Sequence, residues 1–281
     1  MITRRTGYLT LSDRPVPDAA DHLQREGYVA LRGVFDADEV TELIADVDRV
    51  YDELEPDVRT EGKPEGHWEP FRYEMLNRSA VVQRAIASRA ILDVIEPLLG
   101  EDCHVIANTA WRQPTGTSSH GGQAWHIDSG PHVPRPADVP WDDRIPYPVF
   151  AVASHLMLQD CPLAAGPTGV IPRSHTSGQS PPLDRMTDDD LDWNGTRVLP
   201  LTADAGDVLL FVSDVWHRRL PPTGDDPGRY FVQCHYGRRD IAQRLRPTGD
   251  VNHLSPEAIE RAETSRDRTL IGLHKAFFYD G

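Results

Sequence analysis

The sequence predicts a mainly β fold with flanking helices, and two observations carry that reading. The first hundred residues show the three- and four-residue apolar spacing of helices, and after Gly100 the texture changes to short apolar runs separated by Pro- and Gly-rich turns. Many short strands with turn signals suggest a closed or sandwiched antiparallel arrangement.

In chain order, Asp18 is placed to cap a short helix ending near Gly27. Asp36 sits three residues before Glu39, a capping-box-like start for a segment reaching Leu54. Within it Val40, Leu43, Ile44, Val47, Val50, Tyr51 and Leu54 make one apolar stripe. A polar loop over 56–70 follows, then a third helix over 79–99 that Gly100 stops. Candidate strands are 104–111, 123–128, 148–158, 169–171, 197–201, 207–212, 229–236 and 269–274. Long polar insertions at 129–147 and 176–194 interrupt them, and loops of that length in a compact domain are often functional lids. With no internal repeat or linker, the chain reads as one domain over 1–281, a helical flank (1–100) leading into a β core (101–281).

Composition narrows the function. A net charge of −15 argues against nucleic acid or an anionic membrane as partner, because both are polyanions. Cys103, Cys161 and Cys234 are an odd number without CxxC spacing, so neither a disulfide framework nor a cysteine zinc site is expected. The first residues lack the apolar run of a signal peptide, and no stretch approaches the roughly 20 apolar residues that span a bilayer. The expectation is a cytoplasmic protein acting on a small molecule, its oligomeric state unreadable.

The chemistry-bearing pattern is WHID at 125–128, the chain's one HxD. Twelve histidines make about one such pair expected by chance, so its setting has to carry the argument. On a strand, His126 and Asp128 would point to one face. A neutral imidazole beside a carboxylate can supply two corners of a facial metal triad. His217, after the apolar run of GDVLLFVSDVWH, is the best third corner. The bland alternatives are surface histidines and an Asp128 that caps the turn into Ser129 and Gly130. Arg229, twelve positions after His217 at the start of RYFVQCHY, would offer a planar fork to a carboxylate if buried.

Taken in order, these pieces resemble the phytanoyl-CoA dioxygenase family of Fe(II)/2-oxoglutarate oxygenases. The matching segments are WHID (125–128), FAVASHLMLQD (150–160), AAGPTGVIPRSH (164–175), GDVLLFVSDVWH (206–217), GRYFVQCHYGRRD (228–240) and, earlier, GYVALRGVFDADEV (27–40). The resemblance implies a double-stranded β-helix (jelly-roll, cupin-like) core. It implies that His126, Asp128 and His217 bind Fe(II) and that Arg229 binds the C5 carboxylate of the co-substrate 2-oxoglutarate. Asn108, Gln113 and Thr168 fall where relatives touch 2-oxoglutarate or the iron pocket. Two departures stand out: the Arg lies one residue later than is usual, and Arg219 occupies the place of a small hydroxyl residue two after the distal His.

The reaction so implied couples O2 and 2-oxoglutarate to hydroxylation of a small-molecule metabolite or natural-product intermediate, releasing succinate and CO2. Halogenating relatives usually carry Gly or Ala where this chain has Asp128, so oxidation rather than halogenation is expected. The insertion at 129–147, with His132, Arg135, Trp141 and Arg144, is expected to line or cover the entrance, and Arg72, Arg112, Arg173 and Arg219 could offer charge to an anionic substrate. The rivals are a cupin-type metalloprotein that does not use 2-oxoglutarate and a non-catalytic β-barrel binding module. Hydrolase readings lack a GxSxG elbow or HExxH.

Overall fold

The computed structural model describes residues 2–5, 8–11, 17–53, 71–113, 123–243 and 254–275, with side chains from residue 17 onward. The N-terminal part contributes the antiparallel pair β1 (Ile2–Arg5) and β2 (Tyr8–Leu11), then α1 (Asp18–Glu26), β3 (Tyr28–Leu31) and α2 (Ala37–Glu53). Next come β4 (Phe71–Tyr73), α3 (Met75–Arg78), α4 (Ala80–Ile86) and α5 (Arg89–Leu99). The remainder holds β5 (His104–Gln113), β6 (Ala151–Met157), β7 (Thr168–Val170), β8 (Asp192–Trp193), β9 (Thr196–Arg197) and β10 (Leu199–Pro200). β11 (Val208–Val212), β12 (His217–Arg219), β13 (Arg229–Gly237), α6 (Pro256–Arg261) and α7 (Ser265–Leu270) complete it. No helix among the described residues is long and apolar enough to cross a membrane.

The strands form a mainly antiparallel β core of the cupin-like kind. The larger sheet has the order β3-β11-β6-β13-β5-β4 and the smaller β10-β7-β12. Strand alternation sorts side chains to two faces. On the outer face Val152, Leu156, Val208, Leu210, Val212, Val232, Cys234 and Tyr236 pack against Leu43 and Val47 of α2 and Ile91 and Ile95 of α5. On the inner face Ala153, Met157, Leu209, Phe211 and Phe231 meet Val170 of the smaller sheet and Leu201 just after β10. The site lies between the sheets.

Several expectations need correction. Asp18 lies in the first turn of α1 while Pro17 holds the cap position, so its carboxylate acts on the helix dipole rather than as the cap. The α2 start is as expected: Glu39 N–H donates to Asp36 Oδ1 and Asp36 N–H to Glu39 Oε2, both at 2.9 Å. The helix expected over 79–99 is two helices broken at Ala87 and Ser88. Continuing the stripe of Val82 and Ile86 in one helix would bring Arg89, Ala90 and Asp93 to the core, whereas Ile91, Leu92, Val94 and Ile95 are the buried residues; the break re-phases the face. The strand expected at 269–274 falls instead on the end of α7 and the turn after it, because Thr264 and Asp267 close a capping box that starts a helix. Strands β3 and β4 lie in the stretch read as helical. Residues 54–70, including Leu54 and the expected polar loop, lie outside the described residues.

The two insertions are clasped to one another. Arg135 N–H donates to Gly178 O at 3.2 Å, and the Arg135 guanidinium and Gln179 amide bond across to Thr176 O and Arg135 O.

Candidate metal centre and anion pocket

The segment 123–128 is not a regular strand. Its donors go to separate stretches of chain: Gln123 N–H to Arg219 O, Trp125 N–H to Met186 O, His126 N–H to His217 O and Asp128 N–H to Ser213 O. Only His126 and His217 form a β-bridge, a reciprocal pair at 3.0 Å each way that places their rings 4.3 Å apart. The expected ladder is thus one rung, yet it suffices to set the geometry. Ligand atoms of His126, Asp128 and His217 all lie within 4.8 Å of one another.

The protonation pattern suits a cation. His126 Nδ1 lies 2.8 Å from Ala124 O and His217 Nδ1 2.8 Å from Val215 O. A carbonyl only accepts, so both Nδ1 atoms carry the proton and both Nε2 lone pairs are left for a ligand. Asp128 Oδ1 is 3.4 Å from His217 Nε2, while Oδ2 is buried without a hydrogen-bond partner among the described residues. Burial works to raise the Asp128 pKa, but His217, then His235, outweigh it and hold the carboxyl far below its usual range. The same pairing raises the His217 pKa, and a bound cation would take the place of that proton on Nε2; two imidazoles and one carboxylate on one face form the facial donor set that suits a non-haem divalent iron.

The second part of the site is an anion pocket spanning the two sheets. Arg229 opens β13 directly opposite Gln113 of β5, and Arg219 of β12 stands opposite Thr168 of β7. Arg229 Nη2 donates to Thr168 Oγ1 at 3.3 Å, and the Arg219 guanidinium donates to Gln113 Oε1. Both arginines are buried, both keep an Nε without a partner, and neither forms an ion pair among the described residues. Burial, with Arg219 adding to it, pushes the Arg229 pKa down to about 10, so the guanidinium stays charged at neutral pH. The nearest counter-charge is the buried carboxylate of Asp226, which acts on both guanidinium groups without reaching ion-pair distance among the described residues, so one carboxylate faces two buried cations and the pocket calls for a further anion. His217 and Arg219 share one face of β12 two residues apart, about 6.6 Å along the strand.

The structure therefore brings together His126, Asp128, His217, Arg229, Gln113 and Thr168. It does not bring Asn108, which stands opposite Cys234 on the outer face and donates to Gln233 O at 2.7 Å. Counting by twos from Gln113 would have placed it there. Of the four arginines considered for charge, only Arg219 faces the pocket. Arg112 pairs with Asp48 at 2.7 Å, Arg173 with Asp143 at 3.1 Å, and Arg72 lies over the Tyr51 ring at 4.4 Å. In the insertion, His132 is tied to Asp214 and Trp141 to Ile145 O, and Arg144 pairs with Asp142. Sequence reasoning missed His235 and His155, both on the inner face. The alternation Arg229, Phe231, Gln233, His235 along RYFVQCHY was the available signal.

A family model described as phytanoyl-CoA dioxygenase (PhyH) matches residues 23–227. Among solved structures, EctD from S. alaskensis with bound Fe is similar at TM-score 0.64 and 20% identity, covering 91% of this chain and 93% of that one. The epimerase SnoN, in complex with Fe3+, alpha ketoglutarate and nogalamycin RO, is similar at TM-score 0.60 and 18% identity, covering 85% and 93%. The apo non-heme monooxygenase ThoJ is similar at TM-score 0.58 and 18% identity, covering 80% and 79%. At these identities the likeness is one of fold. No curated protein matches the chain.

Proposed function

The chain belongs to the phytanoyl-CoA dioxygenase family, and on that premise we propose that it is an Fe(II)- and 2-oxoglutarate-dependent oxygenase that hydroxylates a small molecule. The observation that carries the reading is the pairing of a His–Asp–His donor set with a buried Arg229 that forms no ion pair among the described residues, on the same inner surface. His126 and His217 would hold Fe(II) through Nε2 and Asp128 through a carboxylate oxygen, all from one side, so that the other side would stay open to the co-substrate. Bound Fe(II) supplies the O2 chemistry that couples decarboxylation of 2-oxoglutarate, giving succinate and CO2, to oxidation of the substrate.

The chain's own residues bind, orient and exclude water. Arg229, with Thr168 beside it, holds the far carboxylate of the keto acid, and Gln113 fixes the neighbouring Arg219. The stacked Trp111 and Phe231 rings, 5.5 Å apart, wall the inner surface with apolar area. SnoN is named an epimerase, so a fold of this kind accommodates an outcome other than hydroxylation. The test is an aerobic assay with Fe(II), 2-oxoglutarate and panels of small metabolites, read for succinate and for product mass. Iron-dependent succinate with one oxygen atom gained by the product is expected. Succinate with an isomerised or desaturated product would overturn hydroxylation alone. Absence of succinate from iron-loaded protein across the panels would overturn the oxygenase reading.

A further inference from the structure

On the inner face of β13, Gln233 and His235 are two residues apart, and neither belongs to the donor set or the anion pocket. Ala153 of β6 and Ala107 of β5 stand opposite His235, so small side chains on both neighbouring strands leave room for its ring. Three contacts run in line from there to the metal carboxylate. Trp111 Nε1 lies 3.1 Å from Gln233 Oε1, Gln233 Nε2 lies 2.7 Å from His235 Nε2, and His235 Nδ1 lies 3.6 Å from Asp128 Oδ2.

The chemistry of the groups fixes the direction of this line. An indole N–H can only donate, so the Gln233 oxygen must face Trp111. The Gln233 NH2 therefore faces His235, and because it too can only donate, His235 Nε2 must accept. A neutral imidazole that accepts at Nε2 carries its proton on Nδ1. That N–H is directed toward Asp128 Oδ2, the buried oxygen that has no hydrogen-bond partner among the described residues. At 3.6 Å the pair is longer than a hydrogen bond, and the attraction across it is electrostatic.

We propose that His235 is a positioning residue for Asp128: the Trp111–Gln233 line sets its tautomer, and its Nδ1–H holds Oδ2 so that Oδ1 is presented beside His217 to the metal. This rests on the reading of the triad as a metal site and is independent of which co-substrate or substrate is used. Partners of this kind orient a ligating carboxylate, and their loss typically costs about 10- to 100-fold in metal affinity.

Mn(II) added alone to metal-free protein, followed by electron paramagnetic resonance, tests the proposal without any turnover. His235→Leu is expected to weaken Mn(II) binding by about 10- to 100-fold and to change the spectrum of the bound ion. His235→Asn keeps a donor near the Nδ1 position and is expected to restore affinity to within about 3-fold of the parent, given that a donor's presence rather than ring packing sets the effect. Gln233→Leu, which frees the tautomer but keeps the imidazole, is expected to fall between the two. Should His235→Leu fail to fold, His235→Asn and Gln233→Leu carry the test. Parent-like affinity and spectrum in folded His235→Leu would overturn the proposal while leaving the oxygenase reading intact. So would His235→Asn as weak as His235→Leu at an unchanged unfolding midpoint. A parent protein that binds no Mn(II) would overturn the metal site and this proposal together.

Discussion

The two faces of β13 are made by one stretch of chain and serve opposite ends. Tyr230, Val232, Cys234 and Tyr236 face the helices inside a continuous apolar cluster. Arg229, Gln233 and His235 face the space between the sheets, with Phe231 as the apolar member of that series. The outer face gains from burial of apolar area, while the inner face keeps polar groups that are incompletely partnered, a state that costs stability and is retained where ligands bind. Stability and function are thereby divided by residue parity.

That division can be broken at four places. Asp128→Ala removes the only carboxylate of the donor set and is expected to abolish iron-dependent succinate formation, with the thermal midpoint of the metal-free protein little changed. Retained full turnover in that variant would remove the triad assignment. On the other face, Leu210→Ala empties a fully buried position and is expected to cost about 2–5 kcal/mol in urea unfolding, with Mn(II) affinity unchanged in the folded fraction. A metal-affinity loss there would show that the faces are coupled. Arg229→Gln is expected to weaken 2-oxoglutarate binding to metal-loaded protein by about 10- to 100-fold, the worth of about 1.5–3 kcal/mol for a charged hydrogen bond, without touching metal affinity; calorimetry separates the two.

The smallest effect is on pH dependence. Burial, then the neighbouring Arg229, hold the inner-face His155 well below the ordinary histidine pKa. Below about pH 6.5 the unfolded chain takes up a proton that folded His155 refuses, so stability falls as pH falls through that value, by at most about 1.4 kcal/mol per pH unit. His155→Phe is expected to flatten this acid limb in urea midpoints measured from pH 7 to 5, whereas the outer-face neighbour Ser154→Ala is expected to leave its slope alone. Equal slopes in parent and His155→Phe would contradict the buried, neutral state of the ring.

Parity also explains what was legible in the sequence. The donor set could be read because WHID and His217 are chemically distinctive, and Arg229 because it opens a long alternating run. His235 lay in an equally regular run and would have followed from counting by twos from Arg229, as His155 follows from Ala153 and Met157 on its own strand; counting by twos from Gln113 moves Asn108 to the helical side. Strands β3, β4 and β12 could not be read, since three or four residues become a strand through the ladder partners supplied by distant chain. The extended segment at 123–128 failed as a ladder for the related reason that its donors are divided among several partners.

The central claim is that the His–Asp–His set and Arg229 hold iron and 2-oxoglutarate together. It is tested most directly under anaerobic conditions, by adding Fe(II) and then 2-oxoglutarate to metal-free protein and recording the weak visible charge-transfer band of an iron-chelated keto acid. The band is expected to appear, to be lost in His126→Ala and to require higher 2-oxoglutarate in Arg229→Ala. Iron binding with no band at any concentration of 2-oxoglutarate would contradict the claim and leave a metal-binding β fold that does not use the keto acid.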